Sequence, residues 1–147
     1  MDEIPKMYRY LDLNVENVDL TNYHNIFKIS PYAYSHCVNL KSVVIGEHVS
    51  KICSEAFSNC QNLYNLRILS TDIKIGVEAF AYNTNLSNVY IADAVLEISE
   101  DAFHGCKNLK YIEYAGSVSD LKRYCRISPM AFSSQFQGIN CKDGFID

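Results

Sequence analysis

Cysteine and histidine are the residues of this chain best suited to chemistry. The 147-residue sequence contains six cysteines and four histidines. Cys37, Cys60 and Cys106 lie in similar local contexts, with His36 directly before the first and His104 two residues before the last. A thiolate activated by an imidazole can act as a nucleophile, and the same two residue types bind zinc. The pattern therefore raises two possibilities, thiol catalysis and metal binding.

The spacing of these residues argues against both possibilities. Zinc sites usually take local pairs such as Cys-x2-Cys, whereas these cysteines stand 23 and 46 residues apart. No local signature of a thiol enzyme surrounds Cys53, Cys125 or Cys141. The sequence also lacks a glycine-rich phosphate loop and a His-Glu-x-x-His motif. We therefore expect no metal, no cofactor and no catalytic residue, and we keep a Cys/His thiol enzyme as an alternative hypothesis.

The cysteines recur because a longer segment repeats. The stretch "SEAFSNCQNL" (54–63) returns as "EDAFHGCKNL" (100–109), and the chain aligns without gaps at a period of 23 residues as units 29–51, 52–74, 75–97 and 98–116. Five columns carry the register, and they are Ile29, Ile52, Ile75 and Ile98; Ala33, Ala56, Ala79 and Ala102; Tyr34, Phe57, Phe80 and Phe103; Asn39, Asn62, Asn85 and Asn108; and Leu40, Leu63, Leu86 and Leu109. A register held over four copies indicates structural repeats that stack.

The repeat predicts an α/β solenoid. A unit of this length cannot bury its own apolar side, so neighbouring units must share one continuous core. The segment that closes each unit alternates apolar and polar residues, as in Val43/Ile45 and Leu66/Ile68, which is typical of a half-buried strand. We expect a right-handed solenoid with about five parallel strands on one face. The "EAF" segments are expected to form short helical or 3₁₀ turns on the opposite face.

The ends of the repeat array differ from its middle, as caps do. Residues 1–28 are expected to form an N-terminal cap with a degenerate half-repeat, residues 29–114 four repeats, and residues 115–147 a C-terminal cap with a partial repeat, all in one domain. In the last part, "ISPMAF" (127–132) echoes "ISPYAY" (29–34) but follows Ile98 by 29 residues instead of 23. We therefore expect six extra residues around "GSVSDLKRYC".

The cysteine column has a structural interpretation. Asn83 stands where the other three repeats carry Cys37, Cys60 and Cys106. A position that accepts both Asn and Cys needs a small, weakly polar group that bonds to turn backbone. The three thiols are therefore expected to be reduced and buried.

Composition and charge exclude several classes of partner. The chain is 48% hydrophobic and 20% charged, with a net charge of −4, and it lacks the basic stripe that nucleic-acid binding requires. No apolar run approaches ~18 residues, so membrane insertion is not expected. The first residues do not form a signal peptide. The localisation stays open: we expect a cytoplasmic protein from the sequence as written, and a secreted or cell-surface protein if a leader has been removed.

The outward positions of the predicted strands are the candidate binding residues. Because Val43 and Ile45 are expected to face inward, the residues next to them in the strand should face outward. Over the four repeats these outward residues form two columns. One column contains Asn65, Asn88 and Tyr111, and the other contains Arg67, Tyr90 and Glu113. Tyrosine and arginine are enriched where proteins bind partners. The alternative is a sheet face that is only solvated.

The repeat resembles the BspA-like leucine-rich repeat family. Residues 29–114 match a unit that reads I-x-x-x-A-F-x-x-C-x-x-L-x-x-I-x-I, and the tail "IEYAGSVSDLKRYC…INCKDGFI" is similar to endings common in that family. The resemblance implies a curved leucine-rich repeat solenoid with a parallel sheet on one face. It also implies a non-enzymatic protein used in binding, often at the surfaces of bacteria and parasitic protists, with host matrix proteins among the ligand classes.

These observations together predict a non-enzymatic binding module for a protein, peptide or glycan, with a possible role in adhesion or host interaction. The open sheet face would carry the contact, and the chain would be a monomer or a weak homo-oligomer. Besides the thiol enzyme, a purely structural spacer repeat is kept as an alternative.

Overall fold

Each repeat contributes two strands and two turns to a solenoid. The computed structural model describes residues 3–4, 14–92 and 95–147. For residues 3–4 it describes the backbone alone. Much of the expected N-terminal cap therefore lies outside the described residues. The elements in chain order are β1 Glu3–Ile4, β2 Asn17–Asp19, β3 Lys28–Ile29, β4 Ser42–Ile45, β5 Lys51–Ile52, β6 Asn65–Ile68, β7 Ile73–Ile75, β8 Asn88–Ile91, β9 Val95–Ile98, β10 Tyr111–Tyr114, α1 Val118–Tyr124, β11 Arg126–Ile127, β12 Gly138–Cys141 and β13 Gly144–Ile146.

The expected parallel sheet is present, and we call it the long-strand sheet. Its seven strands lie in the order β13-β12-β10-β8-β6-β4-β2, with parallel pairing throughout except for the antiparallel β12–β13 pair. The pairing keeps the repeat register, since Val43 pairs with Leu66 and Leu66 with Val89. Buried and more exposed residues alternate along β4, β6, β8 and β10. The predicted alternation is therefore confirmed.

A second parallel sheet, which the sequence analysis did not predict, is formed by strands of two or three residues together with the four-residue β9. This short-strand sheet has the order β1-β3-β5-β7-β9-β11. Ile52 pairs with Ile29 on one side and with Ile75 on the other, so the isoleucine column stacks as expected. The exposed residues beside it form a lysine column, in which Lys28 pairs with Lys51 and Lys51 with Lys74.

The "EAF" segments form consecutive turns, and the expected helical turns are not found there. In each repeat, two residues in or beside this segment have a positive φ. The first of them is Tyr32, Glu55, Glu78 or Asp101, and the second is His36, Asn59, Tyr82 or Gly105. A left-handed residue interrupts a right-handed helix. The backbone amides also alternate in direction, because Ala56 N donates to Cys53 O at 3.2 Å whereas Phe57 N donates to Ala79 O of the next repeat at 2.8 Å. Every second bond thus joins neighbouring repeats.

The core is formed by the predicted columns. The rings of Phe57, Phe80 and Phe103 are fully buried and nearly parallel, with centroids 5.2 and 5.4 Å apart. Tyr34 extends the stack at one end, 5.0 Å from Phe57, and Phe132 at the other, 5.5 Å from Phe103. The centroid spacing is close to the ~4.8 Å between hydrogen-bonded strands, so the stack follows the strand register.

The extra residues before the last repeat form α1. Ser117 caps this helix, because its Oγ accepts a bond from Asp120 N at 3.1 Å, and Leu121 is its buried residue. The repeat then resumes, since Ile127 pairs with Ile98. The expected insertion is thus confirmed as a helical excursion from the solenoid. Within the described part of the chain, no helix is long and apolar enough to cross a membrane.

Candidate functional site

The six candidate binding residues lie on three neighbouring strands of the long-strand sheet. We call Asn65, Arg67, Asn88, Tyr90, Tyr111 and Glu113 the sheet-face patch. In the strand register, Asn65 pairs with Asn88, Arg67 with Tyr90, and Tyr90 with Glu113. Their neighbours along the strands, Leu66, Val89 and Ile112, are buried. Because side chains alternate between the faces of a sheet, burial of these neighbours directs the patch outward.

The sheet-face patch lines a single depression in the surface. Its volume is about 410 Å³, and Ser87, Val89, Asn108 and Lys110 complete its lining. The lining combines two tyrosines, two cations, one carboxylate and three amides, so it offers both hydrogen-bond donors and acceptors around aromatic surface.

Arg67 and Tyr90 form the centre of the patch. The guanidinium carbon of Arg67 lies 5.3 Å from the centroid of the Tyr90 ring, which is within the distance of a cation–π interaction. Arg67 is exposed, and no ion pair with it occurs among the residues that the structure describes. The ring therefore orients a guanidinium whose donors remain accessible to a partner.

The C-terminal strands extend the patch with residues that the sequence analysis missed. Asn140 Nδ2 donates to Glu113 Oε1 at 2.7 Å, and the Tyr111 hydroxyl donates to Gln137 Oε1. The ring of Phe145, which is exposed, meets that of Tyr111 edge-on at 6.2 Å. The similarity of "INC" (139–141) to the strand end "IEY" (112–114) was the signal that could have placed Asn140 beside Glu113.

The cysteine column is structural, as the presence of Asn83 indicated. Cys60 Sγ donates to the backbone oxygen of Tyr34, and Cys106 Sγ to that of Phe80, each at 3.1 Å. Asn83 Nδ2 makes the equivalent bond to Phe57 O at 2.9 Å and also donates to Phe80 O at 2.9 Å. No disulfide joins any of the six cysteines, all of which lie in the described part of the chain, and Cys37, Cys60 and Cys106 are buried.

Four of the six thiols have a raised pKa, which is the wrong direction for nucleophilic catalysis. Burial raises the pKa of the Cys60 and Cys106 thiols to about 12, and that of Cys125 to about 11. The pKa of Cys141 is also raised, first by burial and then by the nearby Asp143 carboxylate. A catalytic cysteine needs a lowered pKa, so none of these four thiols is activated.

We expect Cys37, Cys60 and Cys106 to alkylate slowly in the folded protein. A thiol with a pKa of about 12 is ionised at pH 8 in only about one molecule in ten thousand, and burial also blocks access by the reagent. Site-resolved mass spectrometry after iodoacetamide treatment, with and without denaturant, measures the difference. The half-buried Cys125 and Cys141 serve as internal comparisons and should react earlier. Fast native labelling of all three column cysteines would contradict the expectation.

The two histidines near the cysteines do not converge. Both are exposed. His104 contacts the Tyr82 ring at 5.6 Å, and its Nδ1 lies 3.8 Å from Asp101 Oδ1. Tyr82 occupies the same column as His36, two repeats further along the stack. At the spacing of hydrogen-bonded strands, these two residues are about 10 Å apart. His36 and His104 therefore share no site.

The architecture defines the class of protein as a parallel β-solenoid built from short repeats. The BspA type leucine-rich repeat region matches residues 3–138 in six copies. The chain therefore belongs to the BspA-type leucine-rich repeat family. No curated protein sequence matches it.

Three solved structures of similar fold are bacterial proteins. A leucine-rich cell surface protein from Faecalibacterium prausnitzii superposes with a TM-score of 0.71 at 26% identity, over 89% of this chain and 33% of that protein. The pneumococcal vaccine antigen PcpA gives a TM-score of 0.67 at 19% identity, over 89% of this chain and 31% of the other. A leucine-rich repeat protein from Bacteroides ovatus gives a TM-score of 0.52 at 22% identity, over 86% of this chain and 36% of that protein. The chain thus spans about a third of the length of each.

Proposed function

We propose that this protein is a non-enzymatic binding module that contacts a protein, peptide or glycan through the sheet-face patch. The observation that carries the proposal is that all six patch residues line one depression on an open sheet. The hydrophobic core is formed by the opposite side of the same strands. The patch side chains therefore lie outside the core and are available to a partner.

The chemistry of the patch supports recognition of a macromolecular ligand. Tyrosine offers a large contact area at a small cost in conformational entropy, and arginine offers several donors in a planar arrangement. Glu113 and the amides of Asn65 and Asn88 add acceptors and donors within the same depression. A partner with exposed hydroxyl, amide or carboxylate groups would satisfy these side chains.

The names of the related structures favour a role at a cell surface. One is a leucine-rich cell surface protein and another is a vaccine antigen. By analogy, we propose adhesion or host interaction as the biological setting. The raised pKa values of four thiols and the burial of the cysteine column disfavour the thiol-enzyme alternative.

We expect the double substitution Arg67→Ala with Tyr90→Ala to weaken binding by about 30-fold or more. That loss corresponds to about 2 kcal/mol, the level at which an interface residue counts as a hot spot. The wild-type chain is first screened on a glycan array and against purified extracellular matrix proteins, and the affinity for each ligand found is then measured by surface plasmon resonance. The melting temperature of the variant should stay close to that of the wild type.

The matched control is Lys51→Ala with Lys74→Ala, which removes two exposed side chains from the short-strand sheet. Binding that survives the patch variant but not this control would move the interface to the short-strand sheet. Binding that survives both would point to α1 with Lys122 and Arg123. Absence of binding to every probe would favour the structural spacer.

A further inference from the structure

Two turns at one edge of the solenoid bring together residues that are distant in the sequence. One turn follows β2, and the other follows β4; both lead from the long-strand sheet to the short-strand sheet. Tyr23 N donates to Leu20 O at 3.2 Å in the first turn, and Val49 N donates to Gly46 O at 3.3 Å in the second. Because β2 pairs with β4 and β3 with β5, the two turns lie side by side.

The two turns present two imidazoles and a carboxylate to one another. His24 in the first turn and Glu47 and His48 in the second each offer one ligand atom, and these three atoms lie within 4.8 Å of one another. His48 Nε2 is 3.5 Å from Glu47 Oε1. The rings of His24 and His48 meet edge-on, with centroids 5.1 Å apart. All three side chains are exposed.

We propose that His24, Glu47 and His48 bind a divalent transition-metal ion of the Zn²⁺ class. A tetrahedral Zn²⁺ with bonds of about 2.0–2.1 Å holds its ligand atoms about 3.3–3.4 Å apart. The pair formed by Glu47 and His48 is already at 3.5 Å, and rotation of exposed side chains closes the remaining distances. Two imidazoles and one carboxylate leave a fourth position for water.

The donor set also selects the kind of ion. Imidazole suits zinc, copper, nickel and iron, whereas calcium and magnesium take sites made of oxygen ligands. A site with two nitrogen donors and one carboxylate should therefore bind Zn²⁺ and reject Ca²⁺ and Mg²⁺. The sheet-face patch contributes no residue to this site, so the proposal is independent of the binding function.

The ion would act as a cross-link between repeats. His24 lies in the N-terminal half-repeat, whereas Glu47 and His48 lie in the first full repeat. An ion held by both turns fastens the N-terminal half-repeat to the first full repeat. Because the ligand set requires the folded arrangement of the turns, binding stabilises the folded state by mass action.

The test is a calorimetric titration of the full chain with ZnCl₂ after removal of metal with EDTA, paired with thermal melting. We expect one Zn²⁺ per chain. At free Zn²⁺ a hundred times the Kd, the melting temperature should rise by about 5–10 °C. Ca²⁺ and Mg²⁺ at the same concentrations should leave it unchanged. An equal shift with Mg²⁺ would overturn the proposal, because it would indicate a general effect of divalent charge.

Variants test whether the ion binds at the proposed residues. Two of the four histidines of the chain belong to the proposed site and two do not. His24→Ala with His48→Ala should abolish both the Zn²⁺ heat and the thermal shift, while Glu47→Gln should weaken binding about tenfold or more. The matched control, His36→Ala with His104→Ala, removes the two histidines outside the cluster and should bind Zn²⁺ as the wild type does. Retained binding in the first double variant, or lost binding in the control, would overturn the proposal.

Discussion

Replacement of Phe80 by alanine is expected to lower the free energy of unfolding by about 3–5 kcal/mol. Phe80 is fully buried at the middle of the aromatic stack, between Phe57 and Phe103. Truncation removes ring contacts on both sides, and the flanking repeats cannot collapse into the space because inter-repeat hydrogen bonds set their spacing. Denaturant unfolding measures the loss, which is comparable with the total stability of a modest domain.

The matched control for Phe80 is Tyr64→Ala. Tyr64 is an aromatic residue of the same part of the chain, but 48% of it is exposed. Its truncation should change the unfolding free energy by about 0.5 kcal/mol or less, as surface substitutions usually do. If the two variants had similar denaturation midpoints, the aromatic column would not be the central element of the core.

Replacement of Asn83 by aspartate is expected to cost about 3–5 kcal/mol at neutral pH, the cost of an uncompensated buried charge. Asn83 is fully buried. Its amide nitrogen donates to Phe57 O and Phe80 O, and its Oδ1 accepts from Cys60 N at 2.7 Å. An aspartate of the same shape loses both donors and directs a negative charge at two carbonyl oxygens.

The penalty for aspartate at position 83 should depend on pH. Burial and the two carbonyls raise the pKa of the introduced carboxyl in the folded state above its unfolded value. The variant is therefore least destabilised below the unfolded pKa, and it loses stability relative to the wild type as the pH rises toward the folded pKa. Urea unfolding of both proteins at pH 4 and pH 7 measures the change in the difference.

Cysteine at position 83 is the control for this experiment, because the thiol is the residue that the other repeats use. Cys60 Sγ and Cys106 Sγ each donate to a backbone oxygen of the preceding repeat. A cysteine at position 83 should make the same bond to Phe57 O. It gives up the acceptor of the Cys60 N bond, so we expect a cost of about 1–3 kcal/mol, below that of aspartate. A cost as large as that of aspartate would show that the bond from Cys60 N to Asn83 Oδ1 is the dominant contact.

The candidate binding site arises where the repeats differ from one another. The inward columns hold the same kinds of residue in every repeat, because each unit must pack against its neighbours. The outward column instead runs through Val44, Arg67, Tyr90 and Glu113. The solenoid thus supplies a regular spacing of strands, and the identity of the outward residues supplies the chemistry.

Sequence spacing was sufficient to predict that the patch residues face outward, because a period of two residues decides which side of a strand faces the core. Once Leu66 and Ile68 are inward, Asn65 and Arg67 must face outward, and the next repeat adds Asn88 and Tyr90 by the same rule. Sequence spacing could not predict Gln137 or Phe145 at the patch, since these residues follow the point at which the period breaks. Their positions depend on the pairing of β12 with β10 and with β13.

By itself, the sequence determined the stacking period, the columns of the core and the outward face of the long strands, because all three depend on spacing along the chain. Only the tertiary structure decided that the short strands form a second sheet. Two-residue strands such as Lys51–Ile52 are too short to show alternation and exist through bonds to their neighbours. The tertiary structure also brought His24 to His48. Contacts between adjacent turns depend on how the strands pair in space. The spacing of residues within a single turn does not determine that pairing.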